Sequence, residues 1–168
     1  MEVFFKESMS LTQRQIESFE QNGYLVLENF VSKQECEKLR VRASEIVKTF
    51  DYSKPVTIFT TNEQTRHSDR FFLESGDKIR CFFEEEAFDD NGALIQPKDL
   101  SINKIGHAMH DLDPVFDSFS RTESLESVAK DVGFEDPKIL QSMYIFKQPK
   151  IGEKLAVTRM QLFSTQNH

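Results

Sequence analysis

Apolar residues recur at helical spacing in two segments early in the chain, and both segments begin with the same capping pattern. Thr12 followed by Gln15 is a Thr-x-x-Gln capping box, in which each side chain bonds the backbone N–H of the other residue. The pattern predicts a helix that stops at Gly23, because glycine readily adopts the left-handed conformation found after helix ends. Ser32 repeats the device with a glutamate three residues later and predicts a second helix to about residue 50.

The strand signals are shorter and lie outside these helices. Residues 24–27 are a run of apolar β-formers and predict a strand. Residues 71–83 predict two short strands around a Ser-Gly-Asp turn at residues 75–77. The apolar residues 139–146, which follow Pro137, predict a further strand. The chain therefore mixes amphipathic helices with short strands.

Three more helices are predicted in the second half of the chain. One covers residues 101–110, where apolar side chains recur on one helical side. The next begins at Pro114, since proline is favoured at the first helical position, and the last covers residues 123–131. The polar, threonine-rich residues 53–69 predict a loop, and the Asp-Asp-Asn-Gly sequence at residues 89–92 predicts a turn.

Length and charge limit the possible partners. A chain of 168 residues fits one domain. Its net charge of −7 argues against nucleic-acid binding and against attachment to an anionic membrane surface. No apolar run approaches the roughly 20 residues that span a bilayer. Cys36 and Cys81 are too few for a disulfide framework, and residues 1–10 do not resemble a signal peptide, so we expect a cytoplasmic protein.

Four segments carry a resemblance to a known family. They read FEQNGYLVLENF at 19–30, SGDKIRCFFE at 75–84, SINKIGHAMH at 101–110 and QSMYIFKQP at 141–149. In content, order and spacing they resemble the phytanoyl-CoA dioxygenase family, in its domain-containing branch. The resemblance implies an α+β fold, with an N-terminal helical portion and the first strands of a double-stranded β-helix (jelly roll).

The resemblance also implies a chemistry and two site residues. Members of the family hold Fe(II) with a His-x-Asp motif and a distant His, bind 2-oxoglutarate and hydroxylate an apolar or acyl substrate. Lys104 matches a position that contacts 2-oxoglutarate, where an ammonium donates to a carboxylate. Met143 matches another cosubstrate-lining position. Without the resemblance, a solvated lysine and a packed methionine would be the ordinary interpretations.

The sequence departs from the family pattern after residue 152. The family continues from this strand through Gly and Glu into Pro-His-Gln-Asp, whereas here IGE is followed by KLAVTRM at residues 154–160. We therefore expect residues 1–152 to be the N-terminal part of the domain and residues 153–168 to be a divergent tail. On this interpretation the chain is truncated before the iron ligands, its jelly roll is incomplete, it binds neither Fe(II) nor 2-oxoglutarate, and it is catalytically inactive.

Three other patterns have the spacing of cation ligands but ordinary explanations. His67 and Asp69 match His-x-Asp in a polar loop, with no strand leading into it. His107 and His110 lie three residues apart, and an acidic run covers residues 84–86. Histidine pairs of this kind are more often hydrogen-bonded than metal-bound, and charge runs beside a turn are usually solvated. We assign none of them as a metal site.

Two other readings remain open besides the inactive oxygenase fragment. The predicted strand at residues 139–146 would lack jelly-roll partners and expose Phe, Ile and Tyr side chains, which favours pairing with another chain. The protein would then be an interaction or regulatory module that self-associates or pairs with a full-length relative. The remaining possibility is a product without a stable fold.

Overall fold

The structure is a computed structural model that describes residues 10–52 and 70–147. Helix α1 spans Gln13–Asn22 and helix α2 spans Lys33–Thr49, and both predicted capping boxes are present. Gly23 ends α1 in the left-handed conformation, with φ of 76°, and donates its N–H to the carbonyl of Phe19. The two predicted N-terminal helices and the capping boxes at their N-termini are therefore confirmed.

The elements that follow α2 alternate between short helices and strands. Their bounds are α3 Arg70–Leu73, β1 Ile79–Phe83, β2 Ile102–His107, α4 Met109–Leu112, α5 Pro114–Ser120, α6 Glu123–Asp131 and β3 Ser142–Ile145. The predicted helices at Pro114 and at residues 123–131 are confirmed as α5 and α6. Gly92 donates its N–H to the carbonyl of Asp89, as the predicted turn requires. The predicted loop at residues 53–69 lies outside the described residues.

The three strands form one antiparallel sheet in the order β1-β2-β3. The predicted helix at residues 101–110 is wrong, because Ile102–His107 forms the central strand β2. All six residues of β2 are buried, including Asn103, Lys104 and His107. A strand covered on both faces lacks the alternation of polar and apolar residues that would have identified it.

Three other strand predictions also need correction. Residues 71–73 belong to the short helix α3, so only β1 remains of the two strands predicted within residues 71–83. Residues 24–27 form no ladder with any described residue, although Leu25 and Leu27 are half-buried. Strand β3 covers four residues of the predicted 139–146. In each case local β-propensity overestimated the length of chain that finds a pairing partner.

The two faces of the sheet have different coverings. One face packs against α2, α4 and α5 in a core formed by Ala43, Val47, Cys81, Phe83, Ile105, Met109 and Phe116. On the other face Phe82 contacts the rings of Phe71 and Phe72, with ring centroids 5.7 Å apart in each case. The described residues therefore combine helices with a small antiparallel sheet, in agreement with the α+β prediction.

Candidate functional site

The sheet register brings the two predicted site residues to the same face. Lys104 on β2 is opposite Ile145 on β3, and Gly106 is opposite Met143. Residues directly opposite one another share a face, and residues two apart on a strand share it too. Lys104 and Met143 are therefore diagonal neighbours across β2 and β3. A Cβ atom added to Gly106 would lie 3.5 Å from Cγ of Met143, so the methionine packs against the space above the glycine.

Lys104 is a nearly buried cation on this face. It is 7% exposed, and its direct partner on β1 is Phe82, which is fully buried. Lysine is seldom buried to this extent unless its charge is compensated. Met143, by contrast, is 47% exposed. The face thus combines an enclosed ammonium with a flexible apolar side chain that solvent can reach.

His107 also contacts Phe82 and is 4% exposed. Its Nδ1 lies 2.7 Å from Oγ of Ser75, and its ring centroid lies 5.4 Å from the centroids of both Phe72 and Phe82. Burial lowers the pKa of His107, the positive charge of Lys104 lowers it further, and a hydrogen bond to the backbone of Ser75 opposes both effects. We therefore treat His107 as neutral at neutral pH.

His107 and His110 are held by two different serines. His107 contacts Ser75, whereas Nδ1 of His110 lies 2.9 Å from Oγ of Ser142. Sequence spacing had paired the two histidines as a possible metal site, and it gave no sign of either serine, because each lies 32 residues from its histidine. His107 is thus a residue of the candidate site that our sequence analysis had not assigned to it.

A cavity of about 790 Å³ lies beside the beginning of β3. Its lining includes Arg121, Leu125, Ile139 and Ser142. Ser142 alternates with Met143 along β3, so the cavity is on the opposite side of the sheet from Lys104 and Met143. Arg121 is already paired with Asp111, at 2.5 Å. We therefore place the candidate site on the Lys104 face rather than at this cavity.

The described residues do not assemble a metal centre. Within residues 10–52 and 70–147, no three His, Cys, Asp or Glu side chains come close enough together to hold a metal ion. His67 and Asp69 lie outside this part of the chain. Among the described residues, no helix is both long and apolar enough to cross a membrane.

Comparison with known proteins gives a consistent result. Residues 19–161 match the sequence profile described as "Phytanoyl-CoA dioxygenase (PhyH)". A protein of Arabidopsis thaliana named "Phytanoyl-CoA dioxygenase" is 49% identical over 143 residues, which cover 85% of this chain and 50% of that protein. "Phytanoyl-CoA dioxygenase domain-containing protein 1" of Bos taurus is 43% identical over 151 residues, which cover 87% of this chain and 52% of that protein. The homologous protein of Caenorhabditis elegans is 44% identical over 138 residues, which cover 81% of this chain and 48% of that protein. The chain thus spans about half the length of the curated relatives it matches.

Proposed function

Because this chain belongs to the phytanoyl-CoA dioxygenase family, we propose that it contributes the N-terminal part of an Fe(II)- and 2-oxoglutarate-dependent oxygenase domain. In this proposal the three-stranded sheet is the beginning of a jelly roll. The supporting observation is that Lys104 and Met143, on neighbouring strands, share one face of this sheet. The substrate class that we infer from the family is an apolar or acyl compound.

The residues on this face suit one end of 2-oxoglutarate. Its carboxylates need positively charged or N–H donors, and the nearly buried ammonium of Lys104 supplies three N–H bonds. Met143 is unbranched and adaptable, so it suits the methylene groups of the same ligand. Contrary to the expectation that this chain binds no cosubstrate, Lys104 and Met143 are accordingly the two residues that we propose for binding 2-oxoglutarate.

The described residues do not suit the iron, since no cluster of three ligands exists among them. In the family the metal supplies the oxidative chemistry. We propose that its ligands belong to the part of the relatives' length that this chain does not span. The 168-residue chain alone is then inactive. An assay of 2-oxoglutarate decarboxylation with added Fe(II) and ascorbate checks this, and iron-dependent turnover by the purified chain would contradict it.

Replacing Lys104 with Ala tests the cosubstrate proposal directly. A hydrogen bond to a charged group contributes about 1.5–3 kcal/mol, so we expect Lys104→Ala to weaken 2-oxoglutarate binding by about 10- to 150-fold. Isothermal titration calorimetry with 2-oxoglutarate measures the effect. Lys130→Ala is the matched control, because Lys130 is exposed on α6 and pairs with Glu126. Equal affinities for the Lys104→Ala chain and the unmodified chain would refute the proposal.

A second candidate function is association through β3. Among the described residues β3 pairs only with β2, so its other edge has no strand partner there. The strand was predicted to lack jelly-roll partners and to expose Phe, Ile and Tyr side chains. It pairs with β2 along one edge and exposes Ile145, whereas Tyr144 and Phe146 pack against the core, so the prediction is wrong for these two side chains. Leu140, Met143 and Ile145 are exposed, at 89%, 47% and 47%. These side chains and the outer edge favour self-association or pairing with a full-length relative.

The association is tested by placing a charge on this edge. Lysine on an edge strand opposes strand pairing, so we expect Ile145→Lys to shift any dimer of the chain toward monomer. Size-exclusion chromatography with light scattering at several protein concentrations measures the change. Val41→Lys, on an exposed position of α2, controls for the added charge. A monomeric unmodified chain at every concentration, with cooperative melting, would rule out self-association.

A further inference from the structure

The segment of residues 24–27 has no backbone partner among the described residues. It begins after Gly23, which ends α1, and it stops before Asn29, whose φ of 55° lies in the left-handed region rather than the β region. None of its N–H groups donates to a backbone carbonyl of another described residue. A backbone N–H without a partner in its own chain is satisfied by water or by another molecule. The segment is therefore an open backbone edge between α1 and α2 in the sequence.

The side chains of this segment alternate between two sides, as they do in a β-strand. Tyr24 and Val26 are 67% and 71% exposed, whereas Leu25 and Leu27 are half-buried. The two leucines line a groove of about 480 Å³ together with Leu125 of α6. The segment thus packs one face beside a helix and presents the other face, with two large apolar side chains, to solvent.

The segment carries none of the side chains that usually block an open strand edge. Proteins protect such edges with charged residues, especially lysine, and with proline. Residues 24–27 read YLVL and contain neither a charge nor a proline. Tyrosine and valine are also residues that strands favour. Such an edge is suited to strand addition, in which main-chain hydrogen bonds join two chains.

We propose that the chain forms a dimer in which the 24–27 segments of two copies pair antiparallel, with the two-fold axis at Val26. A two-fold arrangement presents the same surface on both copies, so each copy gains the same main-chain partners from the other. This surface is separate from the outer edge of β3. The dimer also requires neither 2-oxoglutarate nor iron, so the inference does not depend on the proposed oxygenase role.

The sequence from residue 24 to residue 28 is complementary to itself in this arrangement. With the axis at Val26, this valine is opposite Val26 of the second copy, and Leu25 is opposite the second copy's Leu27. Tyr24 is opposite the second copy's Glu28, whose carboxylate is an acceptor for the tyrosine hydroxyl. Apolar side chains therefore meet apolar ones, and the donor at one end of the segment meets an acceptor.

Other registers suit the segment less well. A slip by one residue places exposed side chains on the same face as those that pack beside α6, because side chains alternate with a period of two. An axis at Leu25 brings Gly23 opposite Leu27, and an axis at Leu27 brings Asn29 opposite Leu25. Gly23 and Asn29 both have positive φ and do not continue a strand.

Charge also favours the axis at Val26. In that register the two Glu28 carboxylates lie about 14 Å apart along the strands, from a rise of about 3.4 Å per residue. This separation exceeds the Debye length of about 8 Å at physiological salt, so their repulsion is largely screened. With the axis at Leu27 the same carboxylates would be only about 7 Å apart along the strands.

Amide exchange at increasing protein concentration tests the pairing in the unmodified chain. Antiparallel strands bond at every second residue, so dimerisation should protect either the amides of residues 24 and 26 or those of residues 25 and 27. At a total concentration tenfold above the dissociation constant, about four-fifths of the chains are dimeric, and these amides should exchange about fivefold more slowly than in the dilute monomer. NMR measures exchange at each residue, and light scattering measures the dimer in the same samples.

Val26→Lys should break the dimer, because it places two ammonium groups opposite one another at the axis. We expect the dissociation constant to rise about tenfold or more. Val41→Lys adds the same charge at an exposed position of α2 and should leave the constant unchanged. Ile145→Lys changes the outer edge of β3 instead and should preserve the protection of residues 24–27. Cooperative melting of each variant shows that the substitution has not unfolded it.

Cysteine cross-linking tests the register. In a Cys36→Ala chain, which removes the exposed native thiol, Val26→Cys should form a disulfide-linked dimer under mild oxidation. Tyr24→Cys is the matched control, since its thiols would be about 14 Å apart along the strands, whereas a disulfide needs Cα atoms within about 7 Å. Equal cross-linking of the two variants, or none at residue 26, would overturn the proposed axis.

The remaining outcomes also decide the proposal. A chain that is monomeric at every concentration overturns it, and so does a dimer in which the amides of residues 24–27 are unprotected. Protection that is already complete in the dilute monomer would show that the chain covers this edge itself. Loss of protection in the Ile145→Lys chain would assign the association to β3. None of these results bears on 2-oxoglutarate binding, which calorimetry of the monomer tests separately.

Discussion

Replacing Phe83 with Ala is expected to lower the free energy of unfolding by about 3–5 kcal/mol, the range for removing a buried phenylalanine. Phe83 is fully buried at the end of β1, and its ring contacts those of Phe50, Tyr52 and Phe88, with centroids 6.1, 5.9 and 4.9 Å away. Alanine would leave a cavity between the sheet and the end of α2. Because small domains are stable by only about 5–15 kcal/mol, this loss is a large share of the total.

Urea denaturation followed by circular dichroism measures the change as a lower transition midpoint at similar slope. Phe83→Leu keeps most of the volume and should cost less than about 1.5 kcal/mol. Phe134→Ala is the matched control, because Phe134 is 42% exposed and should cost well under half as much. A Phe83→Ala chain as stable as the Phe134→Ala chain would show that this core is not formed as described.

Replacing Asp113 with Ala has the second largest expected effect, a loss of about 2–4 kcal/mol in the free energy of unfolding. The side chain of Asp113 is 1% exposed. Its Oδ1 accepts hydrogen bonds from the backbone N–H groups of Val115 and Phe116, which caps α5, and its Oδ2 accepts from Nε of Arg42 at 2.6 Å. The substitution removes a helix cap and also leaves the partly buried Arg42 without this carboxylate.

Arg42 supplies the internal control, since it also pairs with the exposed Glu45 at 2.9 Å. Glu45→Ala should change stability by no more than about 0.5 kcal/mol, because exposed ion pairs contribute little. Asp113→Asn keeps an oxygen that can cap α5 but removes the charge, so its effect should fall between the other two. Thermal or urea denaturation of the three variants gives the order of their stability losses. Equal losses for Asp113→Ala and Glu45→Ala would contradict a stabilising role for the Arg42–Asp113 ion pair between α2 and α5.

The helices were predictable because their signals are local. Both capping boxes join residues three apart, and Gly23 and Pro114 mark helix ends through their own backbone preferences. Such patterns have the same meaning wherever the helix later packs. The family was also recognisable from short segments, since their order and content are properties of the chain alone.

The sheet was harder to predict because its stability comes from distant residues. Strand β2 contains Asn103, which donates to Glu84 at 2.8 Å, and His107, which contacts Ser75 at 2.7 Å. These contacts offset the cost of burying polar side chains, and the two partners lie 19 and 32 residues away along the chain. Helical spacing of Ile102, Ile105 and Met109 therefore gave a helix where the protein has its central strand.

The sequence by itself determined where α1, α2, α5 and α6 form and which family the chain belongs to. It also identified Lys104 and Met143 as residues that match cosubstrate-contacting positions of that family. Only the tertiary structure decided that residues 102–107 are a strand, and that Lys104 and Met143 share a face of the sheet on which Phe82 lies opposite Lys104. The physical reason is range: a helix cap is satisfied within one turn of chain, whereas a strand with buried polar groups exists only once its neighbours are in place.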